Sequence, residues 1–432
     1  MLLVLVWAAA VLIYLLGPVR YHDQVRAETW LFVIACVLAF AAGALAGRWP
    51  RVPFDQDQIP EQYYRRVETA VILLAAIGVL GAVSLIVERL FFSGIDYSAG
   101  FTAARVARAE EIAAGMADVV RRTPLLYFGY LAFPFAVPAY LLYVLAAERL
   151  GRISTVMAHL SLFAPISYAI IYGARSPLAV LLGLVVGATL VRYALGKPVV
   201  PAQWLGRLFI GGAVVALVIY SGYIFAQRRA LSNLDDSFGA LEDRFETIYA
   251  ATITPAIGDA VDEGRVAPST AVNLAMTYFY FTHEIPMLDR TLRAERFGPY
   301  LGQYQFYLPA AAVWRLLPEL SSERRMITEA QAANTYGWFS SAWGSMYLDF
   351  GVAGALFMIA VCGWISEQAF ERVRRRGSLG AQLALCYAFC GIIASPVLSI
   401  FTISVSTLFL VAIIGAIYLV RRPIAGLATP AG

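Results

Sequence analysis

Charge is scarce in this sequence. Charged residues make up 14% of the 432 positions and hydrophobic residues 60%. A water-soluble domain has no use for that much apolar surface, so the bilayer itself must serve as much of the core. Lysine is all but missing: Lys197 is the single lysine among 33 basic residues. The planar arginine fork grips phosphate oxygens two at a time, which suits a pyrophosphate ligand, although an Arg- and Ala-rich genomic composition gives the same bias. There are four cysteines, too few for a disulfide framework. Cys36, Cys362, Cys386 and Cys390 all fall in apolar runs, where a thiol is small filler. Cys386 and Cys390 lie one helical turn apart, but no His or acid stands near to complete a metal site. The chain has no phosphate-cradling glycine loop, no G-x-S-x-G and no His/Cys cluster. These absences argue against P-loop, α/β-hydrolase and zinc chemistry, and no pattern points to nucleic acid. The D-x-D at Asp55 and Asp57 is a lone short match in a polar loop. No metal and no cofactor is expected.

What is present is long apolar runs. A spanning helix needs ~20 mostly apolar residues. Ten runs qualify: 2–18, 29–46, 68–88, 124–147, 153–173, 176–194, 205–226, 346–368, 379–398 and 401–420. The first lacks a basic leader and a small-residue cleavage site and reads as a retained span. The last two share one uncharged run, which Pro396 should fold into a tight hairpin. Loop arginines set the orientation. With the N-terminus inside, the inner segments hold most of them, including Arg372, Arg374, Arg375 and Arg376, so both termini are expected in the cytoplasm. The expected fold is all-α and polytopic. Residues 1–226 carry the first seven helices, with an amphipathic outer helix near 100–122. Residues 227–345 form a large outer loop, and 346–432 carry the last three helices and an inner tail. No internal repeat and no low-complexity tract is evident.

The outer loop holds the candidate chemistry. Its arginines and aromatics are interleaved: "TYFYFTHEIPMLDRTLRAERFGPYLGQYQFYLP". Tyr280, Tyr300 and Tyr304 are candidates to stack on sugar rings; the same residue type also seats loops at a membrane interface. Arg290 and Arg293 lie near one helix face, and Arg228 and Arg229 follow the seventh span. Arg175 stands in a very short outer turn, where an arginine beside hydrocarbon needs a partner or the headgroups. Arg105 and Arg108 lie on the polar face of the amphipathic segment. Together these seven arginines are the candidate pyrophosphate ligands. His283 precedes Glu284 among the aromatics, and either is suited to act as a general base near neutral pH. His159, inside the fifth span, reads as a buried helix residue.

The stretch "NTYGWFSSAWGSMYLDFGVAGALFMIAVCGW" resembles the Wzy-type O-antigen and oligosaccharide repeat-unit polymerases. Their pattern is N-x-Y/T-x-F followed by Y-x-D-F-G-x-x-G, matched here at Asn334, Tyr336, Asp349, Gly351 and Gly354. Arg175 matches an Arg-bearing helix start of that family, and Arg228 with Gly239 matches its R-x10-G. The resemblance implies a C-type glycosyltransferase-like bundle in the bacterial inner membrane. It also implies a metal-independent transfer at the periplasmic face between undecaprenyl-pyrophosphate-linked oligosaccharides. A chain-length regulator and a flippase of the same pathway are the implied partners, besides the lipid bilayer. Asp349 is expected to pair with an arginine or to cap the eighth span, holding the loop rather than catalysing. The competing readings are an O-antigen ligase-type glycosyltransferase and a transporter or flippase.

Overall fold

The computed structural model describes residues 1–48, 61–93, 123–199, 212, 238–247, 249–294, 297–332 and 340–421. The expected span at 205–226, Gly212 apart, and the amphipathic segment near 100–122 lie outside these residues, as do the D-x-D at 55 and 57 and the tail after 421. So do Arg105, Arg108, Arg228, Arg229, Asn334 and Tyr336.

The described chain is helical almost throughout. Among its residues, six helices are long and apolar enough to cross a membrane: Ala27–Ala46, Glu61–Phe91, Pro124–Arg149, Arg152–Ile171, Ser176–Ala194 and Ala342–Arg375. Leu2–Leu16, Leu379–Ala394 and Ser404–Leu419 are apolar but shorter. Several expected spans are internally broken. The fourth carries a 3-10 turn at Phe133–Phe135, where Pro134 removes a backbone donor. The fifth is two helices, Arg152–Ser161 and Phe163–Ile171, with Pro165 in the first turn of the second, where a missing N–H costs least. The expected tight hairpin at Pro396 is a longer connection, from the end of one helix at Ala394 to the start of the next at Ser404. Strands Val19–Tyr21 and Ala251–Ile253 pair antiparallel, Val19 opposite Ile253, which the helical reading missed.

The chain divides into two compact units. The first comprises Met1–Gly47, Ala216–Ile365 and Gly391–Thr407. Its membrane part packs helix Ala27–Ala46 against the helix starting at Ala342. Lipid tails give no hydrophobic drive for this contact, so it depends on close approach. A Cβ at Gly43 would overlap the Ala360 carbonyl oxygen, and one at Gly363 the Phe40 carbonyl oxygen. Trp7 stacks on Trp343 at 5.2 Å and donates its indole N–H to Ser395 Oγ at 2.9 Å. The polar segment has a core of its own, with Phe238, Phe245, Ala251, Ala275 and Phe279 buried around the strand pair.

The second unit comprises Arg48–Val215, Ser366–Cys390 and Leu408–Gly432. Helix Glu61–Phe91 is its axis. A Cβ at Gly78 would stand 2.6 Å from Ala136 Cβ, and Gly81 is as close to Ala132 and Phe133. Cys386 and Cys390 are buried; Cys390 Sγ packs on Gly183, and the Cys386 backbone packs on Gly187 of the same unit.

Candidate functional site

The helix Ala342–Arg376 is not continuous. Gly351 adopts φ 65 and ψ −175, a conformation open in practice to glycine alone. A helix interrupted there leaves the preceding carbonyls without their usual partners. The aromatic loop uses them: Tyr300 N–H donates to the Leu348 carbonyl at 3.2 Å and Leu301 N–H to the Asp349 carbonyl at 2.9 Å. The Asp349 side chain, fully buried, completes the dock. Its Oδ1 accepts from Tyr304 N–H at 2.9 Å and its Oδ2 from Gln305 N–H at 2.8 Å. Asp349 thus meets the loop through backbone amides rather than through an arginine. It also lies within the helix that begins at Ala342, not at its start. Gly354 has a packing reason as well, since a Cβ there would come within 2.6 Å of Phe350 Cβ.

Tyr300 and Tyr304 belong to this docked loop. The Tyr300 ring is buried, its hydroxyl donates to Glu329 at 2.5 Å, and Arg325 lies 5.7 Å above it while also pairing with Glu329. That ring has no free face for a sugar. Tyr304 is half-buried, and burial, followed by the charges of Glu284 and Asp349, pushes its phenol pKa up. Tyr280 is exposed and touches the edge of His283, so of the three it alone presents a broad aromatic surface.

His283 caps helix Pro268–Thr282, and Glu284 opens the next, Glu284–Arg293. His283 Nδ1 lies 2.9 Å from the Phe279 carbonyl, which can only accept, so Nδ1 carries a hydrogen. Nε2 is thereby directed at Glu284 Oε1, 3.0 Å away. The ring stacks on Phe279 at 4.8 Å. Glu284 is buried, and its Oε2 accepts from Ser341 N–H at 2.7 Å. Burial opposes the imidazolium, but the hydrogen bond and charge of Glu284, with backbone carbonyls, more than offset it, and the His283 pKa is raised. Burial also raises that of Glu284, against the pull of His283 and Ser341. The two titrate as one unit.

This pair is one end of a buried polar chain. Ser341 adjoins Ser340, whose carbonyl accepts from Ser399 N–H at 3.2 Å. Ser399 Oγ donates to Gln305 Oε1 at 2.5 Å, and Gln305 N–H returns the chain to Asp349. Along it, Ser340 Oγ and Gln305 Nε2 are buried without a hydrogen-bond partner. Unsatisfied polar atoms at this depth are costly and occur where a site awaits something polar. A water-sized recess is lined by Tyr21, Asp23, Phe279, His283 and Arg290.

The described cations are largely committed. Arg290 grips Asp23 with Nε at 2.9 Å and Nη2 at 2.8 Å. Arg293 pairs with Asp289 at 2.6 Å and donates to the Gln24 carbonyl at 3.0 Å. Asp289 also accepts from Thr29 Oγ1 at 2.5 Å and from Arg26 N–H at 3.1 Å. Burial raises its pKa, but the Thr29 and Arg26 hydrogen bonds and Arg293 outweigh that, and the carboxylate stays below its usual range. These pairs seat helix Glu284–Arg293 on the segment from Gln24 to Thr29. The pyrophosphate role expected of Arg290 and Arg293 thus competes with carboxylates already in place. Arg175 is half-buried at the start of helix Ser176–Ala194, in the other unit.

Sequence reasoning overlooked Asp23, Asp289, Gln305 and the serines. Asp289 stands four residues before Arg293, a spacing that could have revealed the pair. Nothing in the sequence links Asp23 to Arg290. Among the described residues, no group of three or more His, Cys, Asp and Glu is arranged to hold a metal ion. No family model matches the chain, nor does any curated protein or solved structure.

Proposed function

We propose that this protein polymerises undecaprenyl-pyrophosphate-linked oligosaccharide repeat units, for an O-antigen, capsule or exopolysaccharide, at the outer face of the bacterial inner membrane. The observation that carries the reading is the double use of the Y-x-D-F-G stretch. Asp349 and the break at Gly351 clamp the aromatic loop, and the same buried polar chain leads to the His283–Glu284 pair. A glycosyl acceptor hydroxyl must lose its proton during attack, and a positioned base contributes ~10²–10⁴ in rate. Both His283 nitrogens are engaged within the protein, so the proton passes to the pair rather than to a free imidazole. The lipid pyrophosphate leaves without an acid if cations absorb its charge. The arginines read from the sequence for that role are Arg175, Arg105, Arg108, Arg228 and Arg229. Tyr280 supplies the sugar-stacking face.

Glycan profiling of a deletion strain is the test. Loss of the gene should leave glycans of one repeat, restored to long chains by the wild-type gene and not by His283→Ala or Glu284→Ala. Long lipid-linked chains that fail to reach their final acceptor mean a ligase-type transferase instead. Accumulation of repeat units on the cytoplasmic side means a flippase.

A further inference from the structure

A second recess lies within the second unit. Tyr64, Arg149, Lys197, Gly377 and Gln382 line it; its enclosed part is water-sized, and the rest opens to solvent. Four apolar helices bound it: Pro124–Arg149 and Ser176–Ala194 end there, and Glu61–Phe91 and Leu379–Ala394 begin there. A recess where spans start and stop lies at the level of lipid headgroups.

Its chemistry is specific. Arg149 lies 5.7 Å over the Tyr64 ring, which orients the guanidinium. Lys197 is half-buried, and burial, with the charges of Arg192 and Arg149, pushes its pKa down against the pull of Glu148. The carboxylate of Glu148 is gripped by both terminal nitrogens of Arg192, itself fully buried. With that carboxylate matched to Arg192, Arg149 and Lys197 leave the recess positive. Gln382 adds the second observation. It is 3% exposed, its Nε2 donates to the Gly377 carbonyl at 3.3 Å, and its Oε1 is buried with no hydrogen-bond partner. An acceptor left bare beside two cations calls for a ligand that is anionic and also carries a donor close to its charge.

We propose that this recess binds a phosphate ester with a neighbouring hydroxyl, the chemistry of a phosphatidylglycerol headgroup. Lys197 and Arg149 take the phosphate oxygens, and Gln382 Oε1 accepts from the glycerol hydroxyl. The aliphatic surroundings of Leu145 and Leu379 suit an attached glyceride.

The test uses the purified full-length protein in a non-ionic detergent and measures retained lipid by native mass spectrometry. Dioleoylphosphatidylglycerol should bind, dioleoylglycerol should not, and dioleoylphosphatidylcholine, which lacks a donor, should bind more weakly. Joint Lys197→Gln and Arg149→Gln should weaken phosphatidylglycerol at least about tenfold, the loss of one charge-assisted contact. Gln382→Leu should narrow the preference over phosphatidylcholine, leaving the part that Lys197 and Arg149 give to the net negative charge. Free glycerol phosphate competing at matched concentration assigns the site to a soluble ester of the same chemistry; failure to compete assigns it to the membrane lipid. Equal retention of dioleoylglycerol and phosphatidylglycerol by the wild type overturns the proposal, whatever the variants do. So does wild-type binding by the doubly substituted protein.

Discussion

The two units satisfy their buried charges differently. In the first, the deepest ionised groups are the carboxylates Glu284, Asp289 and Asp349, each at most 1% exposed. In the second, Arg192 is the deepest at 0%, and Glu88 and Arg89, at 3% and 6%, lie side by side. The manner of satisfaction differs with the sign. A carboxylate is short and only accepts, so donors must be brought to it. In the first unit irregular chain does this: amides of Arg26, Tyr304, Gln305 and Ser341 converge on the three acids. Arginine has a long stem and several donors, so it reaches groups that regular helices already offer. Arg192 takes the Val144 carbonyl at 2.8 Å and Glu148, while Arg89 donates to the Tyr172 hydroxyl at 3.1 Å and lies 4.8 Å over its ring. In the first unit buried acids therefore organise loops, and in the second buried arginines join spans. The region expected to carry chemistry is the one built on acids.

The sharpest way to break this comparison is to remove one buried charge from each unit. Asp349→Asn turns one acceptor into a donor facing a buried amide, which should cost about 3 kcal/mol and release the loop at 300–305. Arg192→Met leaves Glu148, whose side chain is 39% exposed and can rehydrate, so about half that loss is expected. Melting in detergent gives both figures, and limited proteolysis should cut near Gly302 only in the Asp349 variant. If Arg192→Met costs more, the acids are not the organisers. Gly351→Ala comes next. It forces a side chain into a glycine-only conformation at ~1–3 kcal/mol, and its effect should not add to that of Asp349→Asn, since both loosen one dock.

How much of this was written in the sequence depends on range. Apolar runs fix helices locally, so Ser176–Ala194 appears with the bounds read for it. The breaks at Pro134 and Leu162 were harder, because a long apolar run reads the same whether or not it bends. Asp349, Gly351 and Gly354 stood out as a motif, and the cost of a carboxylate near hydrocarbon called for a partner to Asp349. The identity of the partner did not follow. Backbone amides carry no sequence signature, and the loop that supplies them lies more than forty residues upstream. Arg290 and Arg293 were read as ligand cations because Asp23 is distant in sequence and nothing local announces it.

The His283–Glu284 pair sharpens the comparison through pH. Both groups bind a proton more tightly folded than unfolded, His283 through Glu284 and Glu284 through burial. Stability from a raised pKa is present below the unfolded value and lost as pH rises through the folded one. For histidine the ordinary value is about 6.5, so the wild-type melting temperature should decline from there upward. Glu284→Gln should flatten that slope. Chain extension should move the other way, rising over the same window as the pair gives up its proton and becomes a base. Identical stability slopes in the wild type, His283→Gln and Glu284→Gln would show that the pair is not coupled to folding. Activity independent of pH across the window would remove it as the base.

The smallest effect expected on stability, and the most discriminating for the cations, concerns Arg290 and Asp23. Asp23 is 43% exposed at its side chain, so water screens the pair and its strength is that of a surface bridge, under about 1 kcal/mol. Asp23→Asn and Arg290→Gln should each lower the melting temperature slightly, and the double variant should be no worse than either alone. Their effects on chain extension separate two roles. If Arg290 only seats its helix on the segment from Gln24 to Thr29, both single variants lose the same small amount of activity. If Arg290 leaves Asp23 to hold a lipid pyrophosphate, Asp23→Asn frees it and activity holds or rises, whereas Arg290→Gln abolishes extension. The ion pair in place favours the first outcome: equal, minor losses within about twofold, because an arginine already gripped through two nitrogens must give up that carboxylate before it can take a phosphate. A large loss confined to Arg290→Gln would return this residue to the substrate-binding set and make Asp23 its competitor.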